Sequence, residues 1–299
     1  MTTMALVTGK PAPKRRQPRS RSVPLTVIVW ALAGYFLLPL VWLAISSTKD
    51  NGDLFSTFGF AFGSKFALFD NLAALSTQDG GVFWRWMLNT LIYAGVSAIG
   101  AAFIATAAGY ALAKYRFPGR GVIFYGIFAA IMIPTTALAL PTYLLFAQVG
   151  LTNTMFAIIL PSLVSPFGVF LMTVYAQDSV DQSLLEAARI DGAGELRIFF
   201  QVGLRLLAPG FVTVILFALV ATWNNYFLPL IMLNSSDLYP VTVGLAQWQT
   251  ASSSGGGGSQ ALFSSVITGS LVSVIPLIIA FLYLQKYWQS GLSTGGVKG

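Results

Sequence analysis

The residues able to do chemistry in this chain are few, and the usual ones are absent. Among 299 residues there is no cysteine and no histidine. That removes thiol catalysis, disulfides and iron–sulfur clusters, along with the commonest general base and the commonest zinc ligand. Nor is there a Gly-x-x-x-x-Gly-Lys-Ser/Thr run to cradle a nucleotide phosphate. Two polar constellations remain. One is a stretch from 177 to 209 that holds Glu186, Ala187, Ala188, Asp191 and Gly192. The other is Trp223, Asn224 and Asn225, which bring polar atoms into an otherwise apolar run. The first has the makings of a docking element. Ser183 with Glu186 three residues on is a capping-box pattern, so a short helix is expected from about 183 to 192. Ala187 and Ala188 leave part of its surface small enough for another surface to approach closely. Gly192 tolerates the positive φ of a helix stop. Asp191 or Ala193 would then open a second helix, apolar through Leu196, Ile198, Phe199, Phe200 and Val202. Pro209 fits near the start of the next element, where a missing N–H costs little. Residue pattern alone favours a partnerless amphipathic hairpin at a membrane surface over a docking element.

The elements that must position these residues follow from composition. The chain is 56% apolar and only 9% charged, with mean hydropathy +0.74. Soluble domains carry about 25% charged residues, so this chain is expected to be an all-α, polytopic membrane protein. A helix needs about 20 apolar residues to cross a ~30 Å hydrocarbon core. Six stretches qualify, at 24–46, 86–113, 122–148, 155–176, 208–233 and 261–284, and none contains Asp, Glu, Lys or Arg. The first is too long for the apolar core of a signal peptide, so a retained span is expected. With both termini on the cytoplasmic side, that side receives all of the 17 basic residues but Lys49, Lys65 and Arg85, which is the orientation the positive-inside rule favours. The basic tail at 1–23 suits anionic lipid headgroups better than nucleic acid, because a span follows at once.

The external loop at 47–85 carries Phe55, Phe58, Phe60, Phe62, Phe66 and Phe69, which suit either the membrane interface or a partner. The loop at 234–260 contains a Ser/Gly-rich run and reads as mobile coil. Trp223, Asn224 and Asn225 are candidates to line a path, or equally to bond between helices. Prolines 134, 141, 161, 229 and 276 are expected to kink or end helices.

The run Glu186-Ala-Ala with Gly192 resembles the "EAA" signature of ABC importer permeases. The longer form Glu-Ala-Ala-Arg-Ile-Asp-Gly-Ala is similar to the sugar branch, specifically the second permease of maltose-type systems. Further matching stretches follow in order from about the second span to the C-terminus. They include Asn89-Thr-Leu91, the run 108–119, Gly150-Leu-Thr-Asn-Thr154, Trp223-Asn-Asn225, Tyr239-Pro240 and the tail from Gly291. Asp181 departs from the usual Pro, and Leu204-Arg205 from the usual Leu-Pro. The resemblance implies a permease core over 86–285, with tails at 1–23 and 286–299 and a coupling helix docking on a separate ATPase. It also implies a second related permease, two ATPase subunits that hold the ATP and Mg, an extracytoplasmic sugar-binding protein, and alternating access in the cytoplasmic membrane. No cofactor, metal or catalytic residue is expected in this chain. The rival is an ion-gradient-driven carrier, which would normally place an ionisable group at membrane depth. All ten acidic residues lie outside the six stretches.

Overall fold

The computed structural model describes residues 22–253 and 259–294. The basic tail, most of the Ser/Gly-rich run and Lys298 lie outside the described residues. Within them every regular element is helical. The first, α1 (Val23–Ser46), opens with Pro24 in its first turn, where the missing N–H costs nothing. It is open to its surroundings along its apolar window. Residues 47–85 are more ordered than a loop: α2 (Asn51–Ser56) is capped by the Asp50 carboxylate on the Asp53 N–H, and α3 (Leu68–Thr77) follows. The next helix, α4 (Val82–Lys114), starts four residues before the expected span and takes Arg85 into its first turns.

α4 is the axis of the fold. Its buried face is largely small: Ala94, Ala98, Ala101, Ala102, Ala105 and Gly109. Small residues let backbones approach closely where no hydrophobic effect drives helices together in lipid. A Cβ on Gly109 would meet the backbone of Met172 and Thr173 at 2.8 Å. Those residues lie on α8 (Pro166–Ser179), which α4 packs against, as it does against α11 (Ala208–Trp223). Two apolar clusters form at the ends of this axis. One gathers Phe83, Trp86, Tyr93, Met232 and Trp248. The other gathers Tyr110, Met172, Leu185, Ile198 and Phe199.

The expected third span is not one helix. It divides into α5 (Arg120–Ala130) and α6 (Ala139–Gln148), with turns around Pro134 between them. The break falls at Pro134, as expected of a residue that cannot donate to the helix ladder and disfavours helix in the residue before it. The fourth stretch is α7 (Phe156–Ser162) followed by α8, whose start Ser165 caps through its hydroxyl on the Gly168 N–H. The fifth is shorter than expected, since α11 ends at Trp223 and α12 (Phe227–Met232) resumes after a break. Among the described residues four helical segments are long and apolar enough to cross a membrane: Val23–Ser46, Val82–Lys114, Phe156–Ser179 and Leu262–Tyr287. A fifth is reached if Glu195–Leu206 and Ala208–Trp223, bent by 77°, count as one.

The segment expected to be mobile coil is also corrected. It contains α13 (Val241–Ser253), packed against α4 and against the last helix, α14 (Ser259–Thr294). α4 holds the turn before α13 by its carbonyls. Trp86 Nε1 donates to Ser236 O at 2.8 Å, Asn89 Nδ2 to Asp237 O at 2.7 Å and Tyr239 O at 3.0 Å, and Tyr93 Oη to Leu238 O at 2.9 Å. Thr90 Oγ1 accepts the Val241 N–H. From the other side Asn153, itself at φ +56°, accepts the N–H groups of Asn234 and Ser235. With its polar backbone satisfied in this way, the turn can be ordered at the edge of an apolar core.

Candidate functional site

The hairpin between α8 and α11 is built from α9 (Gln182–Ile190) and α10 (Glu195–Leu206), the latter with a π-type turn over Phe199–Gly203. Its start differs from expectation. The cap is not Ser183 with Glu186; Asp181 stands at the cap position and its carboxylate accepts the Ser183 N–H at 3.0 Å. The residue that departs from the family pattern therefore does the capping. A side-chain cap of this kind is worth about 1 kcal/mol. The stop is as expected. Gly192 sits at φ +78°, Ala193 N–H bonds to Ala188 O, and Gly192 N–H bonds to Arg189 O, both at 3.0 Å. This pair of bonds is the Schellman arrangement, which satisfies two carbonyls left over at the helix end. Neither Asp191 nor Ala193 opens the second arm. Asp191 ends α9, and Gly194 precedes α10.

Leu185 is fully buried and anchors α9 in the cluster around Tyr110 and Phe199, with Ala188 half-buried beside it. Glu186, Ala187 and Asp191 are exposed. So are four large apolar side chains, Leu184 (48%), Ile190 (87%), Leu196 (77%) and Phe200 (49%). One side of the hairpin thus fastens to the bundle while the other presents a mixed apolar and acidic face. An apolar cavity of about 330 Å³ lies beside it, between the end of α4 and α10, and Tyr115, Leu196 and Phe200 are among its lining residues.

The arms are clamped by a group that helical periodicity did not reveal. Arg189 on α9 reaches across the turn to Glu195 on α10 with two bonds, Nε to Oε1 at 2.7 Å and Nη2 to Oε2 at 3.2 Å. Tyr115, at the end of α4, donates its hydroxyl to the same carboxylate at 2.7 Å. One carboxylate therefore joins both arms to the central helix. The Arg189 hydrogen bond, then that from Tyr115, hold the Glu195 carboxyl below its ordinary range. Burial, then the bond to Glu195, push the Tyr115 phenol well up. A carboxyl with a depressed folded value adds stability that is present above the unfolded value, about 4.3, and lost as pH falls through the lower folded value. Amide protection of the hairpin, corrected for intrinsic exchange, is expected to stay flat from pH 8 to pH 5 and to fall only below the usual carboxylate range. In Glu195→Gln it is expected to be lower throughout and to lose that acid step. An unchanged profile in the variant would remove the clamp.

The second constellation is placed differently. Trp223 is buried in the cluster around Trp86, 5% exposed. Asn224 is exposed and donates to Val220 O of its own helix at 2.9 Å. Asn225 accepts the Leu228 N–H and offers its carbonyl to Thr242 Oγ1 at 2.9 Å. Both amides thus bond to local backbone around the break between α11 and α12. Among the described residues no cluster of acidic side chains could hold a metal ion.

Fold and site together define a class: a multi-pass, all-helical membrane protein with an exposed hairpin clamped through Glu195. Residues 101–292 match the family model described as binding-protein-dependent transport system inner membrane component. The chain is 32% identical over 278 residues to the arabinooligosaccharides transport system permease protein AraQ of Bacillus subtilis, covering 93% of this chain and 96% of that one. It is 29% identical to the lactose transport system permease protein LacG of Rhizobium radiobacter, covering 90% and 94%. A chain in the crystal structure of a bacterial ABC transporter involved in the import of the acidic polysaccharide alginate superposes with a TM-score of 0.76 at 26% identity, covering 90% and 98%. The chain belongs to the binding-protein-dependent transport system inner membrane components. Membership favours the importer permease over the ion-gradient carrier.

Proposed function

We propose that this chain is the membrane permease subunit of an ATP-driven sugar importer and that α9 is its coupling helix. Six crossings follow if α5 with α6, α7 with α8, and α11 with α12 are each counted as one broken span beside α1, α4 and α14. Both termini and the hairpin then lie in the cytoplasm, where two ATPase subunits carrying ATP and Mg would grip α9. The observation that carries this reading is the hairpin itself. It is locked by the turn at Gly192 and by Glu195 to the end of α4, yet it leaves Ile190 and Leu196 bare. Large exposed apolar side chains rimmed by polar ones mark an interaction face. Glu186 and Asp191 supply polar contacts there, and Ala187 and Ala188 let the partner approach closely.

The printed substrates of the relatives, arabinooligosaccharides and lactose, support a sugar as cargo. The heterologous pairing of the resembling maltose-type systems supports a second related permease, with an extracytoplasmic binding protein delivering the sugar. The non-helical backbone at 224–226 fits a translocation path, since irregular backbone at membrane depth is tolerated where it is buried or lines a water-filled cavity. Asn224 is the exposed amide there. The test is copurification in detergent from the native host, followed by ATPase measurement with a panel of mono-, di- and oligosaccharides and the binding protein. An ATPase, a second permease and sugar-stimulated hydrolysis are expected. A chain that purifies alone and moves sugar on an ion gradient would overturn the proposal.

A further inference from the structure

We infer that the phenylalanine-rich segment after α2 is a membrane-interface foot, seated among the phospholipids beside α1. The first observation is its depth. Gly59 lies against the indole of Trp42, and a Cβ there would come within 2.9 Å of Nε1. Trp42 is four residues short of the end of α1, so the segment folds back about 6 Å along the helix from its end. A 24-residue helix is about 36 Å long, against a hydrocarbon core of about 30 Å. If α1 is centred on the core, Gly59 reaches the boundary between headgroups and acyl chains.

The second observation is composition and exposure. Between Ser56 and Ser64 there is no charge, and Phe58, Phe60 and Phe62 are 74%, 42% and 67% exposed. Charge returns only beyond the segment, where Lys65 faces Asp70 at 3.9 Å with both side chains 74% exposed. In water such a run of bare phenyl rings is unfavourable. At the bilayer boundary it is the usual arrangement of aromatic residues. α1 is open along its whole apolar window, and Gly59 seats the foot against Trp42 near its end, so a lipid shell around α1 would reach the foot as well.

The third observation is where the polar backbone goes. Lys49, 1% exposed, donates its ammonium to Phe58 O at 2.9 Å. Asp53 accepts the Ser64 N–H at 2.7 Å and the Ser64 hydroxyl at 2.9 Å, and its carbonyl takes the Thr57 N–H. Ala61 N–H bonds to Phe58 O. This bonding pins the segment to α2 and to the corner after α1, and the N–H groups of Phe58, Gly59, Phe60, Phe62 and Gly63 are left to the hydrated headgroups. It explains a buried lysine that ion pairing does not, and Asn71 secures the same corner by donating to Ser47 O and Lys49 O, both at 2.8 Å.

Because the chain has no cysteine, single-cysteine labelling tests this directly. Phe58→Cys, Phe60→Cys and Phe62→Cys would each carry a nitroxide in the full-length chain. The chain would be reconstituted with its copurifying subunits into vesicles of phosphatidylcholine and phosphatidylglycerol. Leu32→Cys on α1 serves as the bilayer reference and Lys65→Cys as the aqueous one. Relaxation by dissolved oxygen exceeding that by a water-soluble nickel chelate, as at position 32, is expected at 58 and 62. Nickel accessibility matching position 65 would overturn the foot, and so would shielding from both reagents, which would mean that a protein covers it. The readout is independent of transport, so it stands apart from the function proposed above.

Discussion

Gly192→Val is expected to leave the protein inserted and folded but to abolish transport. A Cβ at this position meets nothing within 4 Å, so the penalty is not a clash. It is the backbone: φ is +78°, a region that costs an ordinary L-residue about 1–2 kcal/mol and a β-branched one more. That is enough to shift the turn about tenfold or more toward other conformations. The Schellman bonds from Gly192 and Ala193 would go, and Glu195 would no longer stand opposite Arg189. A coupling helix must be rigid to convert motion of a partner into motion of the bundle. Gly192→Asn is the control, because Asn tolerates the left-handed region best after glycine. Uptake in whole cells, with membrane abundance measured in parallel, should rank glycine first, then asparagine, alanine and valine. Normal uptake in the valine variant would sink the assignment of α9.

The second large effect is on stability. Gly244→Ala adds one methyl, but that methyl would fall inside the indole of Trp86. The ring cannot yield easily. It is 2% exposed, its Nε1 is committed to Ser236 O, and it packs on Trp248 with centroids 4.7 Å apart. Overpacking of this kind costs about 1–3 kcal/mol. The thermal midpoint in detergent should fall by several degrees. Gly95→Ala and Gly126→Ala, where a Cβ meets nothing within 4 Å, should hold or raise it, since glycine inside a helix is about 0.5–1 kcal/mol worse than alanine. Equal melting of all three would show that α13 does not dock on Trp86.

That docking is also where the sequence was least legible. Charge-free runs of more than 20 residues announced α1, α4 and α14, because lipid leaves little choice of structure. The turn at Gly192 was legible for a comparable reason: one residue type suits that φ. The helix at 241–253 was not. Its side is decided by the partners of Trp248, on α4 and at Asp79, whose carboxylate accepts the indole N–H at 2.8 Å, and both are more than 150 positions away in sequence. A Ser/Gly-rich run next to it suggested coil. The cap of α9 was misassigned because Asp181 and Ser183 are both competent caps, and local pattern cannot choose between them. Glu195 was passed over for a different reason. Its partners are six residues back, across a turn, and 80 residues back on α4, and neither spacing is a helical neighbour. The break at Pro134 was signalled by the proline itself, whereas its length, from 131 to 138, was not.

One dimension of α4 carries a consequence of its own. It is a single 33-residue helix without an internal proline, about 50 Å from end to end. Near one end it grips the carbonyls ahead of α13, and at the other Tyr115 grips the hairpin. Such a beam has no proline at which to kink sharply. If it tilts as one body, about 5° would sweep one tip some 4 Å past the other, and a displacement imposed at the hairpin joint would be carried to the carbonyls ahead of α13 in the same stroke.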